Sequence, residues 1–405
     1  MQFARTITRK FTRDLNLPGF GQYLFGGILF FALGIDSIPV YAADRQCGNW
    51  PAWNNFKQIF ISDAGRVIDR SQPEHITTSE GQAYAIMFAL IANDRTAFDQ
   101  ILQWTENNLS QGDLNNQLPA WKWGARADGS WGVIDGNSAS DADLWFAYAL
   151  HEAARLWHEP KYAMRANLLI ARILREESAD IPGLGPALLP GRYGFRPDPN
   201  NTNNKLWRFN PSYLPIQVLR RFANLYPDSD WSKILSGSVR IITQPTQQGI
   251  VSDWVAYSAE HGFLAEETPP ARAVGFDSIR VYLWSGMLHH EDEVFPALLK
   301  NLAPFGHLVG TVNDSPKQSP ATVFQAKPPM TNMPVGFSAA LLPFLKSVKQ
   351  NRALQHQHRR VTSLNSREGT DSYYDQVLTL FGLGWLEGRY QFEVQGQLKP
   401  SWICK

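Results

Sequence analysis

Two kinds of helical segment alternate along the chain. Residues from Ala83 to Ala92 are apolar on nearly every side of a helix, whereas the next segment carries a single apolar stripe. That stripe consists of Phe98, Ile101, Leu102, Thr105 and Leu109. A helix that is apolar all round belongs in a core, and a helix with one stripe lies on the surface of that core. The pattern therefore predicts a buried inner helix followed by an outer helix that covers it.

The same pair of an inner and an outer helix recurs along the rest of the chain. The further inner segments are Leu144 to Leu150, Tyr213 to Phe222, Val281 to Leu288, Val335 to Leu345 and Tyr373 to Trp385. The outer stripes contain Ala166, Leu169, Ile170 and Ile173; Trp231, Ile234, Leu235 and Val239; Phe295, Leu298, Leu299 and Leu302; Leu354 and Val361; and, near the N-terminus, Trp53, Phe56, Ile59 and Phe60. Six inner and six outer helices predict an all-α fold, an (α/α)6 barrel whose closure brings the two chain ends together.

Nothing in the chain resembles the alternation of strands and helices that builds a parallel sheet, and one short strand is predicted near Tyr390 to Val394. No low-complexity linker and no change in composition marks a boundary between domains. Residues 44–405 are therefore predicted to form a single domain.

The first 43 residues have the pattern of a secretory signal peptide. Four basic residues precede an apolar run from Tyr23 to Ile35, which at about 13 residues is shorter than the roughly 20 that span a bilayer. The basic residues are Arg5, Arg9, Lys10 and Arg13. Val40-Tyr41-Ala42 supplies the small residues of a cleavage site, so we expect cleavage after Ala42 or Ala43. This predicts an exported protein without stable membrane insertion; the alternative is an uncleaved anchor.

The mature chain is close to neutral. Without residues 1–43, which hold four basic and two acidic residues, it contains 34 lysines and arginines against 35 aspartates and glutamates. Nucleic acids and strongly anionic polymers call for a positive field on the protein. The charge balance therefore argues against both as partners and favours a neutral substrate.

The cysteine and histidine content gives little support for a metal site. Cys47 and Cys404 lie at the two ends of the mature chain, where an oxidising compartment would let them pair if the ends meet; the sequence leaves a disulfide and two thiols equally open. The nine histidines are scattered, and no cysteine and histidine cluster has ligand spacing. We predict no metal and no cofactor.

Three acidic residues, Glu80, Asp141 and Asp277, each stand at the start of an apolar helical segment. If these helices are neighbours in one barrel, the three carboxylates meet at one rim, and two carboxyls across a cleft are what hydrolysis of a glycosidic bond requires. The alternative is that each acid only caps its helix. Thr77 and Glu80 would form a capping box, and Asp277 would be an N-cap.

The neighbours of these acids suggest separate roles for them. A general acid at Glu80 needs burial or a nearby carboxylate, such as Asp141, to outweigh the helix dipole, which favours ionisation. Asp141 and Asp143 point in different directions on a helix, so one can face the groove while the other braces the backbone or a neighbouring helix. Arg280, three residues after Asp277, would lie on the same face and keep that carboxylate ionised.

Aromatic residues offer flat surfaces for sugars. The chain has 14 tryptophans, and Trp121, Trp123, Trp131 and Trp254 fall in presumed loops between helices. A pyranose stacked on an aromatic ring removes apolar C–H surface from water and leaves its hydroxyls free for polar partners. Any single tryptophan is more often part of a core, and we assign Trp145 and Trp284 to packing.

Five motifs carry a family resemblance. They are Thr77-Thr78-Ser79-Glu80-Gly81-Gln82; Ala139-Ser140-Asp141-Ala142-Asp143 followed by Ala147, Leu150, Ala153 and Trp157; Trp207-Arg208-Phe209-Asn210-Pro211-Ser212-Tyr213; Asp277 to Trp284; and Pro334-Val335-Gly336-Phe337-Ser338. Through them the sequence resembles glycoside hydrolase family 8 over nearly the whole mature chain. The resemblance implies an (α/α)6 barrel and hydrolysis with inversion.

Roles for individual residues follow from the resemblance alone. It implies Glu80 as the proton donor, Asp277 as the base that activates water, and Asp141 as the aspartate that holds and distorts the reacting sugar without a covalent bond. It also implies sugar contacts at Trp121 and Tyr213, with Arg280 as a polar contact. The chain departs from close relatives, which tend to have Tyr and Ala, at Phe276 and Ser278.

The implied substrate is a β-1,4-glucan chain. In Trp50-Pro51-Ala52-Trp53 and in Leu118-Pro119-Ala120-Trp121, the chain most resembles family members that work beside bacterial cellulose synthase. The resemblance therefore implies the synthase and export complex as a partner. It also implies a location in the periplasm or outside the cell. Alternatives are related activities on xylan, chitosan or mixed-linkage glucan, a polysaccharide lyase, and a non-catalytic glucan-binding scaffold. The lyase is disfavoured because it needs a basic groove for uronates.

Overall fold

Twelve helices in two layers make up most of the chain that the structure describes. The computed structural model describes residues 49–71, 74–198, 205–264, 274–314, 333–365 and 372–403. The inner helices are α2 (Ser79–Ile91), α4 (Ser140–Trp157), α6 (Ile216–Leu225), α8 (Ile279–Met287), α10 (Val335–Ser347) and α12 (Tyr373–Leu386). The outer helices are α1 (Pro51–Phe60), α3 (Arg95–Leu109), α5 (Pro160–Glu176), α7 (Trp231–Thr243), α9 (Phe295–Asp314) and α11 (Asn351–Asn365).

The inner helices form a closed ring in chain order. Each one contacts the next, from α2 through α4, α6, α8 and α10 to α12. The ring closes where Phe381 of α12 meets Phe88 and Tyr84 of α2, with ring centroids 4.5 and 5.0 Å apart. The predicted (α/α)6 barrel of six inner and six outer helices is confirmed.

The difference between the two layers follows from their sequences. Every residue of α2 from Gly81 to Ile91 is buried, whereas α3 buries only one stripe. Since α2 packs against its neighbours on all sides, it has no polar face to expose. The third inner helix begins at Ile216, later than predicted, because Pro211 and Pro215 hold the preceding residues in a 3-10 turn and an extended cap.

The glycines of the inner helices allow close contact between backbones. A Cβ placed on Gly382 of α12 would lie 1.9 Å from the carbonyl oxygen of Ala339 in α10. A Cβ on Gly286 of α8 would lie 2.2 Å from the backbone nitrogen of Phe344, also in α10. Both glycines therefore set how near α10 approaches its neighbours in the ring.

Both ends of the described chain lie at the seam of the ring. Outer helix α1 packs on α12, and the ring of Trp50 fills the space beside Gly384. Arg389 donates to the carbonyl of Asn49 at 2.9 Å, and the Trp402 indole donates to the carbonyl of Leu90 at 3.2 Å. The ends therefore come close together, as predicted. The two cysteines and the predicted signal peptide lie outside the described residues.

Ten short strands accompany the helices in the described part of the chain. They are β1 (Thr77–Thr78), β2 (Lys122–Ala125), β3 (Trp131–Asp135), β4 (Ser178–Ile181), β5 (Gly185–Leu188), β6 (Trp207–Phe209), β7 (Val255–Ser258), β8 (Gly262–Leu264), β9 (Tyr390–Phe392) and β10 (Leu398–Pro400). They pair into the antiparallel sheets β1-β2-β3, β4-β5, β6-β7-β8 and β9-β10. Only β9 was predicted, because segments of two to five residues carry almost no periodic signal.

The position of these sheets decides where a site can form. Strands β1 to β8 all lie in connections that run from an outer helix into the next inner helix. The long connections therefore gather at the end of the barrel where the inner helices begin. Of the described helices, none has the length and apolar character needed to cross a bilayer.

Candidate active site

A single buried guanidinium holds the three predicted acids together. Arg280 lies in the first turn of α8 and is 2% exposed. Its Nη1 donates to Oε2 of Glu80 and, at 2.9 Å, to Oδ2 of Asp141, while its Nη2 donates to Oδ1 of Asp277 at 2.8 Å. Nη1 also donates to the Tyr84 hydroxyl at 2.8 Å. The starts of α2, α4 and α8 therefore meet at one point.

None of the three acids acts as the cap of its own helix. The N-cap of α2 is Thr78, whose Oγ1 accepts from the amide of Gly81 at 3.0 Å, so the expected capping box on Thr77 is wrong. The N-cap residue of α8 is Ser278, so Asp277 does not cap that helix either. The carboxylates of Glu80 and Asp277 accept from Arg280 instead.

Asp141 likewise does not cap its own helix, α4. Its N-cap is Ala139, without a side-chain hydrogen bond, so neither Ser138 nor Ser140 caps the helix. The Ser138 hydroxyl instead donates to Oε1 of Glu177 at 2.5 Å. Asp141 is 1% exposed and also accepts from the amide of Ala142 at 2.8 Å.

Glu80 is held in its protonated form at neutral pH. Burial raises the pKa of its carboxyl to about 8, against the opposing charge of Arg280, and the charge of Asp141, a hydrogen bond to Asp141 and the charge of Asp277 add to the increase. Its side chain still exposes 22% of its surface, so a ligand in the groove can reach it. A protonated, accessible carboxyl is suited to general acid catalysis.

Asp143 faces away from Arg280 and contacts Glu177, which follows the end of α5. Both carboxyls are fully buried. Burial, the charge of Glu177 and a hydrogen bond to Glu177 raise the pKa of Asp143, and burial raises the pKa of Glu177 to about 8. Burial therefore favours the protonated form of both carboxyls. Asp143 braces a neighbouring helix while Asp141 faces the groove, the division of roles that their spacing suggested.

The loop before α8 positions Asp277. Oδ1 of Asp253 accepts from the amide of Ser278 at 2.8 Å, and the Ser278 hydroxyl accepts from the amide of Gly275 at 2.8 Å. Burial raises the pKa of Asp253. Asp277 itself has 31% of its side chain exposed and is therefore accessible to water. Ser278, one of the two departures from the family pattern, thus supports the turn that carries the expected base.

Phe276, the other departure, is 58% exposed beside Asp277. Its ring packs edge-on against Phe337 and Tyr374, with centroids 5.1 and 5.9 Å away. The Tyr374 hydroxyl donates to the carbonyl of Phe276 at 2.6 Å. A phenolic hydroxyl is therefore present in the base region, although Phe276 does not supply it.

The predicted sugar contacts occupy different places. Tyr213 lies in the 3-10 turn with its ring 5.6 Å from the Arg280 guanidinium. Trp121 is partly exposed, and its carbonyl accepts from the amide of Ser79, one residue before Glu80. Arg280, the expected polar contact, pairs with the three carboxylates and is as deeply buried as Asp141.

The tryptophans assigned to packing form the floor of the site. Trp145 and Trp284 are buried, their ring centroids lie 5.1 Å apart, and Tyr84 packs against both. Of the four tryptophans expected in loops, Trp123 and Trp131 instead lie in strands β2 and β3.

Sequence reasoning missed four residues that shape the site. They are Tyr84, Glu177, Asp253 and Tyr374. Tyr84 had a usable signal, since it lies four residues after Glu80 on one helix face. The other three are distant in sequence from the residues that they support. In the described part of the chain, no group of three His, Cys, Asp or Glu side chains is arranged to hold a metal ion.

The arrangement defines a class of enzyme. A protonated carboxyl, an accessible carboxylate and a third carboxylate lie at one rim of a helical barrel. These are the groups that acid-assisted cleavage of a glycosidic bond requires. The chain belongs to glycosyl hydrolases family 8, whose family model matches residues 34–388. It is accordingly a glycoside hydrolase.

Known proteins resemble the chain over most of its length. It is 45% identical to an endoglucanase of Salmonella typhi, over 89% of this chain and 93% of the relative, and 42% identical to an endoglucanase of Xanthomonas axonopodis pv. citri, over 94% and 97%. Among solved structures, an endo-1,4-D-glucanase from Vibrio fischeri superposes with a TM-score of 0.79 at 40% identity, covering 88% of this chain and all of that one.

Proposed function

We propose that this protein is an endo-1,4-β-glucanase that cleaves β-1,4-glucan with inversion of the anomeric carbon. The observation that carries the proposal is the shared guanidinium, which places a proton-holding Glu80 and an accessible Asp277 on different nitrogens of Arg280. The names of the relatives support glucan as the substrate. The near-neutral charge of the mature chain agrees with a neutral polymer.

In the proposed reaction, Glu80 gives its proton to the glycosidic oxygen as the bond to the leaving chain breaks. Asp277 accepts a proton from the water that attacks the anomeric carbon from the opposite face. The carboxyls of inverting enzymes are about 6.5 to 9.5 Å apart, which leaves room for that water. After the reaction Glu80 is ionised and Asp277 protonated, and exchange with solvent restores both.

Asp141 holds the reacting sugar in this scheme and forms no bond to it, because inversion is a single displacement by water. Trp121 and Tyr213 offer aromatic surfaces to neighbouring sugars. Arg280 pairs with all three acids, so it positions their carboxylates next to the sugar, in addition to its expected role as a polar contact.

We further propose that the enzyme acts on nascent cellulose in the periplasm or outside the cell, next to the cellulose synthase and export complex. The signal-like first 43 residues support export. A scaffold that only binds glucan is less consistent with the site, because clustering three acids around one buried arginine is costly and none of the three caps its own helix.

The test is turnover of a soluble cellulose derivative by the mature protein, with the anomeric form of the first product followed by NMR. We expect an α-anomer from the parent and loss of turnover in Glu80→Gln. Glu159→Gln, which changes a surface carboxyl paired with Arg95, is the matched control and should behave like the parent. A β-anomer would contradict inversion. If the protein does not cleave the cellulose derivative but cleaves xylan, chitosan or mixed-linkage glucan, that polysaccharide would take the place of β-1,4-glucan as the proposed substrate.

A further inference from the structure

The hairpin formed by β2 and β3 displays an exposed tryptophan in a fixed position. Trp131 is 51% exposed. Its ring lies 5.5 Å from that of Trp123 at an angle of 33°, and Trp104 packs edge-on against Trp123 at 5.3 Å. Packing on one side therefore holds the Trp131 ring while much of its surface stays in contact with water.

Arg66 completes this stack from a separate part of the chain. Its guanidinium lies 4.4 Å from the centroid of Trp123 and 5.0 Å from that of Trp131. Hydrogen bonds to Oγ1 of Thr77, at 2.9 Å, and to the carbonyl of His75 orient the guanidinium. Because these contacts already restrict the rings, a ligand that stacks on Trp131 loses less conformational entropy in binding.

The same hairpin contributes to an open cavity of about 640 Å³. Its lining combines apolar surface with one carboxylate and two cationic side chains. The lining residues are Glu74, Lys122, Ala125, Arg126, Ala127, Val133 and Ile134. Ile134 is itself 39% exposed. A few polar groups set among apolar ones suit a neutral polyhydroxylated ligand better than a charged one.

The hairpin is directly connected to the catalytic groove. Strand β1 pairs with β2 through Thr77 with Trp123 and Thr78 with Lys122, and α2 with its Glu80 begins at the next residue. Ala125, which pairs with Trp131, lies three residues beyond Lys122, about 10 Å along the strand. A polymer is long enough to occupy the groove and the hairpin together, whereas a short oligosaccharide is not.

We propose that the β2–β3 hairpin is a second, non-catalytic binding site for a β-1,4-glucan chain, with Trp131 as its stacking platform. The proposal rests on the proposed glucanase function. It predicts that Trp131 contributes to binding of the polymer and takes no part in the chemical step, which Glu80 and its partners perform.

The test measures binding in the Glu80→Gln background, where no substrate is consumed. Retardation in native gels that contain hydroxyethylcellulose gives an apparent dissociation constant. Since an aromatic contact contributes about 0.5 to 1.5 kcal/mol, we expect Trp131→Ala to weaken binding about two- to twelvefold and Trp131→Phe to retain most of it. Met164→Ala, which changes a side chain of α5 that is 61% exposed, is the matched control and should bind like its parent.

Two results would overturn the second site while leaving the glucanase function in place. One is equal retardation of Trp131→Ala and its parent. The other is an equal loss of kcat/KM on cellotetraose and on the polymer when Trp131→Ala is made in the active enzyme, because that would make Trp131 part of the catalytic groove. Failure of the active parent to cleave any β-1,4-glucan would instead reject the proposed function.

Discussion

Glu80 shows how the surroundings of one residue set the working pH of the enzyme. A general acid acts only while it is protonated, and burial together with the neighbouring carboxylates raises the pKa of Glu80 to about 8. We therefore expect kcat/KM to be maintained up to about pH 8 and to fall about tenfold per pH unit above it. Measurement of kcat/KM on a neutral soluble glucan over a range of pH values tests this decline. A decline that begins near pH 5 would contradict the assignment.

The same shift predicts that Glu80 destabilises the folded protein. Between its ordinary value of 4.5 and about 8, the folded state binds a proton at Glu80 that the unfolded state does not, so this contribution to stability falls as pH rises. Glu80→Gln removes the effect. We expect the variant to have the larger free energy of unfolding, by roughly 4 kcal/mol at pH 8, with the gap closing towards pH 4.5.

Urea unfolding of both proteins at several pH values measures this difference. A gap that does not change with pH would show that Gln stabilises the site for some reason other than proton binding.

Asp143 is expected to matter through Asp141, since both lie in the first turn of α4. Asp143→Asn keeps a hydrogen-bond donor of similar size next to Glu177, so we expect activity within a few-fold of the parent. Asp143→Leu leaves the buried Glu177 with Ser138 as a donor but without the one at position 143. We expect it to lower kcat at least tenfold and to destabilise the fold by about 1 to 3 kcal/mol.

Asparagine is the matched control for leucine at this position, and separate kcat and KM values on a soluble glucan are the measurement. Equal activity of the two variants would show that the Asp143–Glu177 contact does not position Asp141.

Sequence reasoning at this scale found the acids and missed what surrounds them. Glu80, Asp141 and Asp277 were recognisable because each stands where a polar connection meets an apolar helix. The central place of Arg280 was not, because its partners Glu80 and Asp141 lie 200 and 139 residues away in the sequence. Local patterns also suggested caps, and the long-range ion pairs prevailed.

The approach of inner helices depends on glycines that a sequence pattern does not single out. A Cβ on Gly382 would collide with the backbone of Ala339, and backbone cannot move aside as a flexible side chain can. We expect Gly382→Ala to lower the free energy of unfolding by about 1 to 3 kcal/mol or more, although alanine has the better helix propensity. Thermal or urea unfolding measures the change.

Gly136→Ala is the control for this variant, because the nearest atom to its added Cβ would be Cγ1 of Val133 at 3.9 Å. Its stability should be close to that of the parent. An unchanged or increased stability of Gly382→Ala would mean that α10 and α12 can separate without cost.

Long secondary-structure elements were predictable from the sequence, and short ones were not. Helices such as α2 and α10 were evident because 13 residues give more than three turns of one pattern. Strand β1 has two residues and β2 has four, which is too little for alternation to stand out. Their hydrogen bonds come from partners in other connections, so the pairing that builds the hairpin was not visible locally.

At the scale of the whole molecule, closure of the ring explains why distant residues share one site. The inner helices all begin at the end of the barrel that holds the long connections, so residues from the starts of α2, α4 and α8 must meet there. Once six pairs of inner and outer helices were recognised in the sequence, this convergence followed from topology alone. The distances and protonation states within the site did not, because they depend on burial.

The charge of the whole molecule leads to a prediction about salt. The mature chain is nearly neutral, and two of the groove carboxylates pair with one guanidinium while Glu80 is protonated, so the groove carries a small negative charge. A neutral polymer therefore gains nothing from electrostatic steering. We expect kcat/KM on hydroxyethylcellulose to change less than twofold between 20 and 500 mM NaCl, where the screening length falls to a few Å.

Carboxymethylcellulose is the matched anionic substrate. Repulsion from the groove should slow its association at low salt, so its kcat/KM should rise as NaCl screens the carboxylates. Initial rates on both polymers at the same series of salt concentrations measure the contrast. A fall of several-fold on either polymer as salt is added would mean that a positive surface attracts the substrate, and the case for a neutral ligand would then be lost.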